Sequence, residues 1–280
     1  MNINGYEEYL NEPNTICEGA KVFTKYFCFD TNNEYKNRLV RVYIPSNYDF
    51  NNPNRRFKTL YMLDGKNLFD DYTSFVGEWG IDESIENLIR NGNEGYIVIG
   101  IDAPNTDIDR SLEMSPDGLK RNKKYPYYGL EAYASKLGDF IFKVVKPDID
   151  KTFYTKKEKE YTGVGGSSMG GIMAFYLGLN YKHNIKYCLN FSPAFFLFDW
   201  KDFKKYVDER FSKDLPNMYF YIGGKGFEKV FVETTLRTYN YFLDRGYSHR
   251  RVMLLFDSNK EHNESAWREY FPIALTSIDN

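Results

Sequence analysis

The chain is poor in the residues that build cross-links and metal frameworks. Its three cysteines, Cys17, Cys28 and Cys188, show no Cys-x-x-Cys spacing. An odd, sparse set of this kind points to neither a disulfide framework nor a zinc site, and no metal is expected. Histidine is equally scarce, at three in 280 residues. No apolar run approaches the roughly 18 residues that a membrane span requires. The opening MNINGYEEYLNEPN is polar and acidic and lacks a basic region followed by an apolar one. No secretory signal is therefore read, and the expectation is a soluble cytoplasmic protein with no membrane partner. Net charge is only −2, so neither nucleic acid nor an anionic surface is an expected partner. The basic run Lys120 to Lys124 reads as a solvated loop face.

What the chain does have is apolar material, 42% of residues with 18% aromatic, enough for a full-sized core. Val22 to Phe29 and Arg38 to Ile44 read as strands, ended by the Asn- and Pro-rich segment Pro45 to Arg55. Beyond them, short apolar runs alternate with longer stretches of helical period, the pattern of β-α-β units. Strands are expected at Thr59–Leu63, Tyr96–Ile101, Lys159–Val164, Tyr187–Phe191, Met218–Ile222 and Val252–Phe256. Helices are expected at Ile81–Arg90, Gly129–Val145, Ser168–Asn180, Lys201–Phe211, Glu228–Arg245 and Glu264–Leu275. The expected architecture is one α/β domain over 1–280, its core about 38–276. It has a mostly parallel central sheet, an antiparallel N-terminal edge and helices on both faces. The stretch Ala103 to Tyr128 is polar, turn-rich and too long for a plain connection, so it is read as a pocket loop.

The most informative segment is YTGVGGSSMGGIMAFYLGLN. An expected strand runs into Gly166-Ser167-Ser168-Met169-Gly170, and a helix follows at once. In the G-x-S-x-G turn of α/β-hydrolases the serine sits on a strained strand-to-helix corner, and glycines let the neighbouring backbones approach. Ser168, with Gly on both sides two residues away, is the candidate nucleophile. No Gly-Lys-Ser/Thr follows, so a phosphate loop is disfavoured. In this fold the base follows the nucleophile and the acid in chain order. That selects His262, after the last strand, over His183 and His249. The acid is expected after Met218–Ile222, in GGKGFEKV, where Glu228 is the only candidate; Asp257 and an unassisted Ser–His pair remain alternatives. An oxyanion hole needs two amides. Met169 is expected to give one. The turn after Thr59–Leu63 gives the other, with Gly65 allowing close approach and Lys66 or Asn67 supplying the N–H.

Taken together, LYMLDGKNLFDD, VGEWGIDESIENLI, YIVIGID, GVGGSSMGGIMAFYLGL, FSPAF and EHNESAW, in this order, resemble the putative esterase family. That family includes enterochelin-esterase-like and feruloyl-esterase-like enzymes of the α/β-hydrolase superfamily. The resemblance runs from about Arg38 to the last helix. It implies a serine carboxylic-ester hydrolase without a cofactor, acting on a small-molecule, siderophore or sugar ester. Ser168 and His262 match its nucleophile and base, and Asn67, Arg110, Glu113 and Trp267 are implied near the substrate. Glu228 departs from the family spacing, because Gly226-Phe227 intervenes before it. An acyltransferase on the same scaffold and a non-catalytic binding module are the alternatives.

Overall fold

Apolar runs that hide both faces of a strand demand a layer on each side of the sheet. The computed structural model describes residues 1–29 and 37–279, and it arranges them around one continuous ten-stranded mixed sheet. β1 (Asn2–Ile3), β2 (Tyr6–Glu8), β3 (Lys21–Cys28) and β4 (Asn37–Ile44) form an antiparallel edge. β4 pairs antiparallel with β6 (Tyr96–Ile101). From there β5 (Lys58–Leu63), β7 (Thr162–Ser167), β8 (Tyr187–Phe191), β9 (Asn217–Gly223) and β10 (Val252–Asp257) run parallel. The spatial order is β1-β2-β3-β4-β6-β5-β7-β8-β9-β10. The chain leaves β5 toward β6 on one side and returns to β7 on the other. The carboxyl ends of β5 and β7 therefore flank a topological switch point, where open α/β sheets hold their ligands.

Side chains alternate across each strand and feed two separate cores. Tyr61 and Leu63 join one cluster, whereas Leu60 and Met62 join the other. The covering helices are α1 (Ile81–Arg90), α2 (Asp107–Glu113), α3 (Ala134–Asp139), α4 (Lys146–Thr152), α5 (Met169–Asn180), α6 (Trp200–Asp208), α7 (Lys229–Asp244) and α8 (Glu264–Asp279). α5 is buried from Met169 to Leu179, which explains why its sequence is apolar on every side. Among the described residues no helix is long and apolar enough to cross a membrane.

Three sequence expectations shift. The strand entering the Ser168 turn is Thr162–Ser167, three residues later than expected, because Gly163, Gly165 and Gly166 continue the ladder where composition suggests a turn. The helix expected at Gly129–Val145 starts at Ala134 and runs to Thr152 through a π-helical turn at Phe140–Val145. The long loop also contains α2, whose first turn is capped by Thr106 Oγ1 accepting from the Asp109 amide at 3.1 Å.

Candidate active site

Ser168 sits between β7 and α5 with φ 56° and ψ −115°, a conformation that L-residues avoid. Such strain costs on the order of 1–3 kcal/mol and persists only where neighbours fix it. Here its amide donates to Phe191 O at 3.0 Å, and its carbonyl accepts from Ala194 N and Ile172 N, both at 3.2 Å. A Cβ on Gly166 would stand 2.6 Å from Gly170 O, so only glycine fits beneath the turn. Ser168 is half-buried, and among the described residues its Oγ makes no hydrogen bond, to His262 or to any other group. Ser167 is buried.

His262 lies in the turn after β10, with Nδ1 hydrogen-bonded to Glu228 Oε2. Glu228 is 0% exposed, and its other oxygen accepts from Gly223 N at 3.0 Å and from the Ser192 hydroxyl. The indole N–H of Trp267 in turn donates to Ser192 Oγ at 3.0 Å. An ionised carboxylate only accepts, so Nδ1 carries the proton and Nε2 keeps its lone pair. The ring is fixed by stacking on Phe231 at 4.3 Å and by the edges of Trp267 at 5.1 Å and Phe227 at 5.7 Å. The Gly226-Phe227 departure has a plain consequence. Residues Gly226–Glu228 form a 3-10 turn, with Gly226 at φ 60°, that brings Glu228 back onto Gly223. Gly223 itself must lack a side chain, since a Cβ there would meet Lys260 O at 2.5 Å. That close approach lets Lys260 O accept from Gly224 N and Lys225 N just before His262. The alternative acid, Asp257, faces elsewhere, accepting from Tyr270 Oη at 2.5 Å and Asn259 N at 2.9 Å. His183 and His249 are exposed.

Segment Phe191–Ala194 joins the two halves. Phe191 and Ala194 grip the Ser168 backbone, while Ser192 between them grips Glu228. The sequence gives no sign of the contact between Ser192 and Glu228 beyond the place of Ser192 in FSPAF.

The turn after β5 begins at Asp64, itself left-handed at φ 58°. A Cβ on Gly65 would lie 2.6 Å from Asp102 Oδ1 and 2.7 Å from the Gly100 carbonyl carbon. The Asn67 amide is engaged by Asp64 O at 2.9 Å. Among the described residues the amides of Lys66 and Met169 have no hydrogen-bond partner. Of the two residues expected to supply the second amide, Lys66 is thus the one left able to. The Asn67 side chain is also committed, accepting from Phe75 N at 3.2 Å and donating to Glu264 at 3.4 Å. The carboxyl of Glu264 is raised above its ordinary value, chiefly by burial.

The three other residues expected near the substrate are each engaged by protein groups. Arg110 and Glu113 do not pair with each other. Arg110 makes a two-point ion pair with Asp64, both bonds 2.7 Å, at the rim of the switch point. Glu113 points inward and is gripped by Arg38 of β4 at 2.5 and 2.8 Å. Trp267 is 4% exposed and packs on Trp79 at 5.4 Å, so it braces the Glu228 network from inside. A cavity of about 430 Å³ lined by Arg38, Asp102, Thr106, Glu113 and Tyr133 among others does not include Ser168 or His262 in its wall.

Known proteins match this chain over most of its length. The BES protein from Bacillus cereus superposes with a TM-score of 0.69 at 16% identity, over 96% of this chain and 98% of that one. Siderophore hydrolase EstA from Aspergillus nidulans gives 0.71 at 16% identity, over 92% and 95%. An IroE-like serine hydrolase from Shewanella oneidensis gives 0.69 at 18%, over 91% and 80%. At these identities the likeness establishes the α/β-hydrolase fold. The model of the family described as "Putative esterase" matches residues 32–276, and on that match, spanning both the serine turn and the histidine turn, the chain belongs to the putative esterase family.

Proposed function

We propose that the protein is a serine carboxylic-ester hydrolase that works through an acyl-enzyme, with Ser168, His262 and Glu228 as its triad. The observation that carries this reading is the buried Glu228 carboxylate, held by Gly223 and Ser192 and bonded to His262 Nδ1. Nothing in the packing of an inert protein calls for a fully buried acid whose remaining oxygen fixes one histidine tautomer. With its proton on Nδ1, His262 presents Nε2 as the base. Nε2 takes the Ser168 hydroxyl proton as Oγ attacks the ester carbonyl, and Glu228 stabilises the imidazolium. The partnerless amides of Lys66 and Met169 receive the oxyanion, the latter at the start of α5 where helix amides converge. Collapse passes the proton to the leaving alcohol. Water, activated by the same nitrogen, then frees the acid.

The substrate class that the surroundings favour is a small ester with an aromatic or apolar part. Phe227 is 64% exposed beside His262, and Phe196 packs against both Phe227 and Tyr125 to continue the aromatic rim. Siderophore and sugar esters of aromatic acids fall in that class. A fluorophosphonate probe should label Ser168 in the wild type and nothing in Ser168→Ala. A panel of esters should release acid in water without an added acceptor. Labelling at Ser167, or turnover that needs an added hydroxyl acceptor, would defeat the reading.

A further inference from the structure

A second group of reactive side chains gathers at the start of α1, away from the serine. Asp82 is 0% exposed; its Oδ2 accepts from the Cys17 amide at 2.9 Å, but its Oδ1 is buried without a partner. Oε2 of half-buried Glu83 is also buried and unpartnered, and so is Oε2 of Glu78, which is 2% exposed. The Cys17 sulfur, an Asp82 oxygen and a Glu83 oxygen all lie within 4.8 Å of one another. Among the described residues the one basic side chain ion-paired to these acids is Arg268, which reaches Glu78 Oε1 at 3.3 Å.

Acids in the first turn of a helix gain from its dipole, which accounts for the presence of Asp82 and Glu83 there. The dipole gives no hydrogen-bond donor to three orphaned oxygens, however, and buried polar atoms without partners are costly. Arg268 pairs with Glu78, and among the described residues no basic side chain is ion-paired to Asp82 or Glu83, so the centre of the group is short of positive charge.

We propose that Cys17, Asp82 and Glu83 together bind one divalent cation of the zinc class. A thiol beside carboxylates suits Zn²⁺, whereas Ca²⁺ and Mg²⁺ take oxygen ligands only. Zn–O and Zn–S bonds of about 2.0–2.3 Å place neighbouring ligands roughly 3.5 Å apart. Donors already within 4.8 Å need to close by only about an ångström. On binding, the Cys17 thiol releases its proton to solvent and the sulfur takes the metal as thiolate. Sequence spacing conceals such a site, because Cys17 and its carboxylates stand 65 residues apart and no second cysteine is involved. The cation would fasten the N-terminal segment to the start of α1. That start is already tied to the oxyanion turn through Trp79 N to Asn67 O at 2.8 Å and Ile81 N to Leu68 O at 3.1 Å.

The full chain, stripped with chelator and titrated with zinc chloride, tests this without any ester assay. Calorimetry should give one site, and Tm should rise by about 5 °C or more at a hundredfold excess over Kd. Asp82→Asn and Glu83→Gln should each weaken binding at least about tenfold, by loss of a charged ligand. Glu83 is half-buried, so Glu83→Gln keeps the test alive if Asp82→Asn fails to fold. Cobalt should give a thiolate charge-transfer band in the near ultraviolet that Cys17→Ser removes. Absence of a single site in the wild type, equal binding by both carboxylate variants, or a cobalt spectrum without the band would overturn the proposal. Adventitious binding at exposed His183 or His249 would show itself as equal binding in those variants.

Discussion

Replacing Glu228 by glutamine tests the proposed triad most directly, and its effect can be worked out atom by atom. Oε1 of Glu228 accepts from two donors, Gly223 N–H and the Ser192 hydroxyl, so the glutamine oxygen must occupy that side. Its NH₂ group then faces His262 Nδ1, where it can only donate. Nδ1 must become the acceptor, and the ring proton moves to Nε2, which then cannot take a proton from Ser168. The flipped amide would be worse, setting NH₂ against two donors in a fully buried site. Loss of the correct tautomer in the serine-protease triad costs about 10⁴ in kcat. We therefore expect a fall of about 10³–10⁴, or roughly 4–5.5 kcal/mol at 1.36 kcal/mol per tenfold, with KM little changed. Burst kinetics on a nitrophenyl ester would separate slower acylation from slower product release. Urea denaturation should show a companion loss of about 1–3 kcal/mol, the usual cost of disturbing a buried charged hydrogen bond. A loss of only a few-fold in kcat, with the fold intact, would refute the triad and leave a Ser–His pair.

Ser168→Gly should abolish activity and probe labelling yet raise Tm, since glycine relieves the strain at φ 56° of about 1–3 kcal/mol; an unchanged or lower Tm would show that the turn is not strained. Gly65→Ala should lower kcat by about 10² or more, because its Cβ would strike Asp102 and Gly100 and displace the Lys66 amide; ester kinetics at a temperature well below the measured Tm of the variant would check it, and full activity would remove that amide from the mechanism. Burial raises the Glu264 carboxyl, so the folded chain binds more protons than the unfolded one between the ordinary carboxylate range and that raised value. Stability should fall as pH rises through this window, and Glu264→Gln should flatten the slope of Tm against pH; a steeper slope in the variant would contradict the sign.

Much of the fold is written locally. Period-2 and period-3.6 patterning marks most strands and helices, because half-buried elements must repeat with their own geometry. The shift of β7 arises where glycine is there for close approach, a requirement set by α5 and invisible to composition. The G-x-S-x-G turn brought Ser168 into view, and chain order added His262 and Glu228 as candidates, since the fold fixes which turns share the carboxyl edge of the sheet. Pairings across the fold were not legible. Arg110 and Glu113 lie one turn apart on α2 and invite each other, yet Asp64 and Arg38 claim them from 46 and 75 residues away. The resemblance implies Trp267 near the substrate, whereas α8 turns its indole inward onto Trp79. The choice between Lys66 and Asn67 likewise hung on a single backbone bond to Asp64.

In the proposed triad the Ser192 hydroxyl would couple distant packing to chemistry. It stands between the indole of Trp267 on α8 and the Glu228 carboxylate beyond β9, receiving a proton contact from one and giving its own to the other. Since Trp267 rests on Trp79 in the layer beneath, a change as remote as trimming Trp79 would let the indole sag and loosen the hydroxyl's direction. The carboxylate would then swing, and the imidazole with it. Activity in this protein should therefore report on the tightness of that aromatic layer, and variants of the layer should lose turnover before they lose the fold.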